Sequence, residues 1–119
     1  MVSLKRILVK IENVIKEIMK NINQKEFMDI AQNGDCIILD VRSPGECASG
    51  MVPNARMINL MDRHRFSMEV EKLDKQKHYL IYCRSGNRSG IACRMLESLG
   101  FGNTYNLQGG MMRWSGPIE

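Results

Sequence analysis

The 119-residue sequence predicts an α/β fold of three layers, in which a central, mostly parallel sheet is flanked by helices and preceded by an N-terminal amphipathic helix. Two short and nearly continuous apolar runs, at residues 36–41 and 78–82, are typical of central parallel strands covered on both faces. Segments with helical periodicity alternate with these strands. This alternation along the chain is the pattern of α/β proteins.

The first predicted helix covers residues 4–19. Its apolar side chains recur at three- and four-residue steps with charged side chains between them, so the helix is amphipathic. We expect residues 1–20 to be an appendage to a domain of residues 21–119. The apolar face would pack on that domain, on a second copy of the chain or on a partner protein. A membrane role is not favoured, because the polar face carries acids and the apolar face lacks Trp and Phe.

The other elements follow in order along the chain. Apolar spacing predicts helices at residues 24–32, 63–73 and 90–99. Strands are predicted at residues 36–41, 55–60, 78–82 and 104–107, of which the second is the weakest candidate. Asn33 and Gly34 end the first of these helices, Ser89 is the expected N-cap of the last, and Gly100 ends it. A final helical turn is expected around Trp114.

Composition limits the class of protein. Hydrophobic residues make up 44% and charged residues 25% of the chain, as in a globular domain. No apolar run approaches the roughly 20 residues that span a bilayer, and charged residues interrupt the N-terminus, so we expect a cytoplasmic protein. The net charge of +4 suits an anionic substrate. Nucleic acid is not an expected partner, because the positive charges form no block and no aromatic stacking pattern accompanies the arginines.

The four cysteines are Cys36, Cys47, Cys83 and Cys93. They lack the paired spacing of a zinc site, and a reducing compartment argues against a disulfide framework, so we expect no metal and no cofactor. Cys36 and Cys93 are expected to be small buried hydrophobic residues. Cys47 lies in a polar segment that we expect to be exposed, where it could act as a second thiol.

One segment, at residues 83–89, carries the predicted chemistry. It reads Cys83-Arg84-Ser85-Gly86-Asn87-Arg88-Ser89 and lies between a predicted strand and a predicted helix, at the carboxyl edge of the sheet. A thiolate is the nucleophilic form of cysteine, and cationic side chains and backbone amides favour it. Gly86 permits a turn whose successive N–H groups point at one anion. The segment therefore predicts an anion receptor with a nucleophilic cysteine at its base.

This segment resembles the active-site loop of the rhodanese-like sulfurtransferase family in its single-domain form. The resemblance extends over residues 22–119 and leaves the N-terminal helix outside it. It includes the stretches Leu39-Asp40-Val41-Arg42-Ser43-Pro44, Pro53-Asn54-Ala55 and Tyr105-Asn106-Leu107-Gln108-Gly109-Gly110. Two departures from the family pattern are Cys47, where an aromatic residue is more common, and Met51-Val52, where His-Ile is common.

The resemblance implies a sulfurtransferase with Cys83 as its catalytic nucleophile. Cys83 would take sulfane sulfur from thiosulfate or a related anionic donor, hold it as a persulfide, and pass it to a thiol or to cyanide. The loop residues would bind the donor and the persulfide, namely Arg84, Ser85, Gly86, Asn87, Arg88 and Ser89. From the residues themselves, Asp40 and Arg42 are expected to support the loop through an ion-pair network in which Arg42 pairs with Asp40 or Glu46. The alternative is that Arg42 lies near the pocket.

Spacing argues against one alternative, and two others remain open from the sequence. Phosphatases and arsenate reductases with a related loop place one residue more between cysteine and arginine, and the pocket between Cys83 and Arg88 should be too tight for phosphate. A binding module that relays a persulfide to a partner recruited by residues 4–19, or that does not catalyse at all, is the main alternative. Cys47 could also resolve the Cys83 persulfide through an intramolecular linkage.

Overall fold

The computed structural model describes residues 3–18 and 20–119, with side chains for residues 3–11 and 20–119. The helices are α1 (Leu4–Ile18), α2 (Gln24–Gln32), α3 (Pro44–Cys47), α4 (Arg63–Glu71) and α5 (Asn87–Ser98). The strands are β1 (Asn21–Ile22), β2 (Cys36–Asp40), β3 (Arg56–Met57), β4 (His78–Tyr82) and β5 (Thr104–Leu107). A 3₁₀ turn at Gly110–Arg113 follows β5.

The five strands form one sheet in the order β1-β5-β4-β2-β3, and every neighbouring pair is parallel. The predicted α/β class and parallel sheet are therefore confirmed. β2 and β4 pair along their full lengths, from Cys36 opposite His78 to Asp40 opposite Tyr82. Because their carboxyl ends lie side by side, the segments that leave the two strands begin at the same edge of the sheet.

Alternate side chains of β4 face two separate apolar layers. Tyr79 and Ile81 pack with residues of α4 and α5, whereas Leu80 and Tyr82 pack on the other face with Phe27 of α2. All four β4 side chains are fully buried. A strand covered on both faces needs no polar alternation, which explains its continuous apolar run and confirms the three-layer arrangement.

The largest boundary difference concerns the helix after Cys83. The prediction that α5 begins near Gly90 with Ser89 as its N-cap is wrong, because α5 begins at Asn87 and its N-cap is Gly86. Gly86 has φ +104°, a left-handed conformation that glycine adopts without steric cost, and it turns the chain into the helix earlier than expected. Ser89 is consequently a buried residue in the first turn of the helix.

Smaller differences concern short or terminal elements. The strand predicted at residues 55–60 contains only Arg56–Met57, and the helix predicted at residues 63–73 ends at Glu71. β1 and α3 were not predicted, since elements of two and four residues are too short to show periodicity. α1 agrees with the predicted helix as far as Ile18, and Met19 lies outside the described residues. The described part of the chain contains no helix that combines the length and the apolar character of a membrane span.

Candidate active site

Cys83 lies directly after β4, and its side chain is fully buried beneath the loop that leads to α5. Two donors point at its sulfur. The backbone N–H of Gly86 donates to Cys83 Sγ at 3.1 Å, and the Ser89 hydroxyl lies 3.3 Å from the same atom. The early start of α5 brings Ser89 to this position, because one helical turn separates it from Gly86.

The surroundings of Cys83 favour its ionised form. Burial alone would raise the pKa of the thiol. Hydrogen bonds from the Ser89 hydroxyl and from the backbone amides of residues 89, 86 and 85 act in the opposite direction and outweigh burial. The pKa of Cys83 consequently lies below its ordinary value, which increases the fraction of nucleophilic thiolate at neutral pH.

The other three cysteines have the opposite character, and all four are free thiols. Burial raises the pKa of Cys47 to about 11 and that of Cys93 to about 12, and it also raises the pKa of Cys36. The prediction that Cys47 is exposed is wrong, because the helical turn α3 directs it into the interior, where only 9% of the residue is accessible. Cys83 is therefore the only cysteine whose surroundings favour a thiolate.

The loop is also held from the C-terminal side of the sheet. The backbone N–H groups of Met111 and Met112 donate to the carbonyl oxygens of Cys83 and Arg84, each at 3.0 Å. Gly110 makes this approach possible, because a Cβ atom there would lie 2.5 Å from the Cys83 carbonyl oxygen. Gly110 thus lets the turn after β5 hold the backbone of the nucleophile in place, a role that the sequence alone does not reveal.

Asn106 makes a further polar contact with the loop, one that the sequence alone does not reveal. It lies in β5 and is buried, with 8% of the residue accessible. Its side chain accepts from the Ser89 hydroxyl at 2.5 Å, and donates to the Gly86 carbonyl at 3.1 Å and to the Asn21 side chain at 2.8 Å. The signal that could have identified it is an amide side chain in the middle of a strand that is predicted to be buried, because buried polar groups need hydrogen-bond partners.

The two loop arginines are in different environments. Arg84 is exposed at the loop surface, with Ser85 and Asn87 also exposed. The guanidinium of Arg88 instead binds the Glu46 carboxylate through two hydrogen bonds, at 2.7 and 2.8 Å. The structure therefore leaves Arg84 accessible to an anionic donor and engages Arg88 in an ion pair. That either arginine binds substrate stays a prediction.

Asp40 and Arg42 form a buried ion pair next to the loop. Arg42 Nη2 donates to Asp40 Oδ2 at 2.7 Å, and the same nitrogen donates to the Gly50 carbonyl at 2.7 Å. Asp40 is fully buried, and the guanidinium of Arg42 stacks over the Tyr82 ring at 5.6 Å. Of the two acids predicted as partners of Arg42, Asp40 is the one that pairs with it. Glu46 instead pairs with Arg88.

Comparison with known proteins agrees with this fold. The family model of the rhodanese-like domain matches residues 23–117. A protein called putative sulfurtransferase YtwF from Bacillus subtilis is 41% identical over 90 residues, which are 76% of this chain and 84% of that protein. A protein called sulfurtransferase from Allochromatium vinosum is 36% identical over 86 residues, which are 72% of this chain and 78% of that protein.

A solved structure shows the same architecture. The crystal structure of a rhodanese-like domain protein from Staphylococcus aureus superposes with a TM-score of 0.74 at 32% identity, covering 85% of this chain and 97% of the other. The family-model match and the superposition thus define the class of protein, by sequence and by structure, as a rhodanese-like domain. The chain belongs to the rhodanese-like domain family.

Proposed function

We propose that this protein is a cytoplasmic sulfurtransferase that carries sulfane sulfur on Cys83. The observation that carries the proposal is the convergence of the Gly86 amide and the Ser89 hydroxyl on Cys83 Sγ, at 3.1 and 3.3 Å. Relatives named sulfurtransferase support the class of reaction. A more distant relative from Coxiella burnetii, 30% identical over 95 residues, is called thiosulfate sulfurtransferase GlpE, which supports thiosulfate as a donor.

In the first half-reaction, the Cys83 thiolate attacks the outer sulfur of thiosulfate. The new S–S bond forms as the S–S bond of thiosulfate breaks, and sulfite leaves with the electron pair of the broken bond. The negative charge then resides on the outer sulfur of the persulfide, about 2 Å from Sγ. Amides of the loop and the first turn of α5 stabilise this charge by electrostatic attraction.

In the second half-reaction, a thiolate or cyanide attacks the outer sulfur. The Cys83–sulfur bond breaks, and its electron pair returns to Cys83 as thiolate. A thiol acceptor becomes a persulfide, and cyanide becomes thiocyanate. No net oxidation or reduction of the protein takes place over the cycle, so no additional cofactor is needed for this chemistry.

Mass spectrometry of the protein after incubation with thiosulfate tests the proposal directly. We expect one added sulfur, about 32 Da, on the peptide that contains Cys83, and thiocyanate after addition of cyanide. Cys83→Ser should acquire no sulfur, whereas the matched control Cys36→Ser should acquire it normally, because Cys36 is the most accessible of the four thiols and lies away from the loop. Absence of any sulfur adduct on the wild-type protein would refute the proposal.

One observation favours a second candidate function, a persulfide relay that depends on a partner. Leu4, Ile7, Leu8 and Ile11 of α1 are each between 43% and 72% exposed and lie on one face of the helix. An exposed apolar stripe of this kind is typical of an interaction surface, for a partner protein or for a second copy of the chain. In this alternative, transfer from free thiosulfate is slow, and α1 brings the partner to Cys83.

Substitution on α1 distinguishes the two functions. Leu8→Glu should leave thiosulfate turnover unchanged if the protein acts as an independent enzyme. If α1 instead mediates self-association, the same variant should reduce the mass measured by light scattering, while the control Lys5→Glu, on the charged face, should not. Under the relay function, Leu8→Glu should weaken the transfer of sulfur to the partner that α1 recruits. Unchanged transfer to every acceptor, together with an unchanged mass, would contradict the relay function.

A further inference from the structure

A chain of three hydrogen-bonded side chains, of which Asn106 and Ser89 are buried, lies behind the candidate nucleophile. Asn21 of β1 contacts Asn106 of β5, Asn106 contacts Ser89 of α5, and Ser89 contacts Cys83. The contacts cross from the edge strand of the sheet to the sulfur atom. Asn106 is the central member, because it also binds the carbonyl of Gly86.

The hydrogen bonds determine the orientation of the Asn106 amide. Its Nδ2 group faces two oxygen atoms, the Asn21 Oδ1 atom at 2.8 Å and the Gly86 carbonyl at 3.1 Å. A backbone carbonyl can only accept, so a flipped amide would place Oδ1 against it. The Oδ1 atom must therefore face Ser89, where it is an acceptor for the hydroxyl.

The Ser89 hydroxyl has one proton and two acceptors. Asn106 Oδ1 lies 2.5 Å from Ser89 Oγ, and Cys83 Sγ lies 3.3 Å from it. A neutral thiol is a weak acceptor, so the hydroxyl donates to Asn106 while Cys83 is protonated, and its oxygen can accept the S–H. A thiolate is a stronger acceptor because it is charged, and the hydroxyl can then turn to the sulfur. The proton remains on Ser89 throughout.

From these contacts we propose that Asn106 is a positioning residue for sulfur transfer. It holds the Ser89 hydroxyl within reach of Cys83 and holds Gly86, whose amide is the second donor to the sulfur. Without Asn106, the Gly86 carbonyl would lose the side-chain partner that holds the turn, and the Gly86 amide, the backbone donor to the sulfur, would become less well placed. The inference rests on the proposed function of Cys83 as the sulfur carrier.

Alkylation of Cys83 by iodoacetamide, followed peptide by peptide across the pH range in which thiols ionise, measures the predicted effect. In Asn106→Ala we expect the midpoint of the Cys83 alkylation profile to move up by ~0.5–1 pH unit, because a hydrogen bond to the charged sulfur is weakened without being lost. At pH values above both midpoints, the alkylation rate should converge with that of the wild type. A merely structural defect would lower the rate by the same factor at every pH.

Thr104→Val is the matched control. Thr104 lies in the same strand, is fully buried, and donates a side-chain hydrogen bond to Glu97 at 3.1 Å, away from the loop. This variant should lower the melting temperature and leave the Cys83 midpoint unchanged. An Asn106→Ala profile that overlaps the wild-type profile would overturn the proposal, as would an equal shift in Thr104→Val.

Asn21→Ala provides a second test that does not disturb the core. Asn21 is exposed, and its replacement removes one of the two acceptors that orient the Asn106 amide. We expect a smaller upward shift in the same direction. If Asn106→Ala does not fold, this variant decides: a shift supports the proposal, and an unchanged midpoint overturns it.

The alkylation experiment needs no sulfur donor, so the two proposals fail separately. A wild-type protein that acquires no persulfide refutes the sulfurtransferase function, whatever the alkylation profiles show. A wild-type protein that acquires the persulfide, together with unshifted profiles in the folded asparagine variants, refutes only the positioning role of Asn106.

Discussion

The guanidinium of Arg88 and the carboxylate of Glu46 meet through two parallel hydrogen bonds of 2.7 and 2.8 Å. The pair joins the first turn of α5 to the helical turn α3. The first of these directly follows the candidate active-site loop, and the second follows β2. Glu46 also completes a capping box with Ser43 at the start of α3. The arginine thus connects the two segments that leave the carboxyl ends of β2 and β4.

Glu46→Gln should reduce stability in a pH-dependent manner. The hydrogen bonds from Arg88 lower the pKa of Glu46 to about 2, from an ordinary value of 4.5. Stabilisation by the pair is therefore fully present above pH 4.5 and is lost as the pH falls from 4.5 to 2. We expect the variant to lose about 1 kcal/mol at neutral pH and to show a flatter profile in this acidic range.

Urea unfolding at several pH values measures this effect. Glu69→Gln is the control, because Glu69 pairs with Arg56 at 3.2 Å in a more exposed ion pair. It should have little effect on stability at any pH. Equal losses in the two variants would show that the Arg88 pair does not stabilise the loop selectively.

Arg84→Gln should weaken capture of the anionic donor without destabilising the protein. Arg84 is exposed, and none of the ion pairs in the described part of the chain involves it. Removal of its charge should raise the KM for thiosulfate about fivefold, corresponding to ~1 kcal/mol of binding, with an unchanged melting temperature. Steady-state kinetics at two salt concentrations measure this, and the difference from wild type should shrink at high salt.

Arg88→Gln should show the opposite pattern, a lower melting temperature from loss of the Glu46 pair. An unchanged KM for thiosulfate in Arg84→Gln, with a raised KM in Arg88→Gln, would reverse the assignment of the two arginines.

Asp40→Asn should destabilise the protein more than any surface variant. Asp40 is fully buried and is the acidic partner of Arg42, whose pKa the carboxylate raises through their hydrogen bonds. Neutralising Asp40 leaves the guanidinium buried without a counter-charge, at a cost of ~3–5 kcal/mol in the free energy of unfolding. The folded fraction should keep its activity per molecule.

Thermal unfolding and active-site titration of the same samples separate these two effects. The double variant Asp40→Asn with Arg42→Met should recover part of the lost stability, because it removes the unpaired charge. A loss of activity in the folded fraction would instead assign the pair a direct part in catalysis.

Gly110→Ala should disrupt the loop through a steric clash. Its Cβ would lie 2.5 Å from the Cys83 carbonyl oxygen and 2.6 Å from that of Arg84, and the residue has φ +55°. Both carbonyls would have to move, and Cys83 with them, so we expect the rate of persulfide formation to fall by tenfold or more, about 1.4 kcal/mol in activation free energy.

Gly34→Ala is the control for this variant. Gly34 also has a positive φ, of +86°, but a Cβ there would meet no atom within 4 Å. It should lose stability from backbone strain and keep its rate of persulfide formation. Similar activity in the two folded variants would show that the close approach of Gly110 to the loop is unimportant for the reaction.

The apolar patterns of β2 and β4 were sufficient to predict their strands, because a strand buried on both faces must be apolar along its length. The predicted positions of α2 and β5 agree with the observed elements, Gln24–Gln32 and Thr104–Leu107. The start of α5 was predicted three residues late. That boundary depends on the conformation of a single glycine, Gly86, which a periodicity argument does not detect.

The sequence by itself determined the class of fold, the cysteine at the end of β4 and the family resemblance of its loop. These follow from local chemistry: periodicity, a glycine turn, and a thiol among amides and cations. Only the tertiary structure decided which side chains act on that thiol. It paired Arg88 with Glu46, buried Cys47, and placed Asn106 behind Ser89, because contacts between residues far apart in the chain depend on how the strands register against one another.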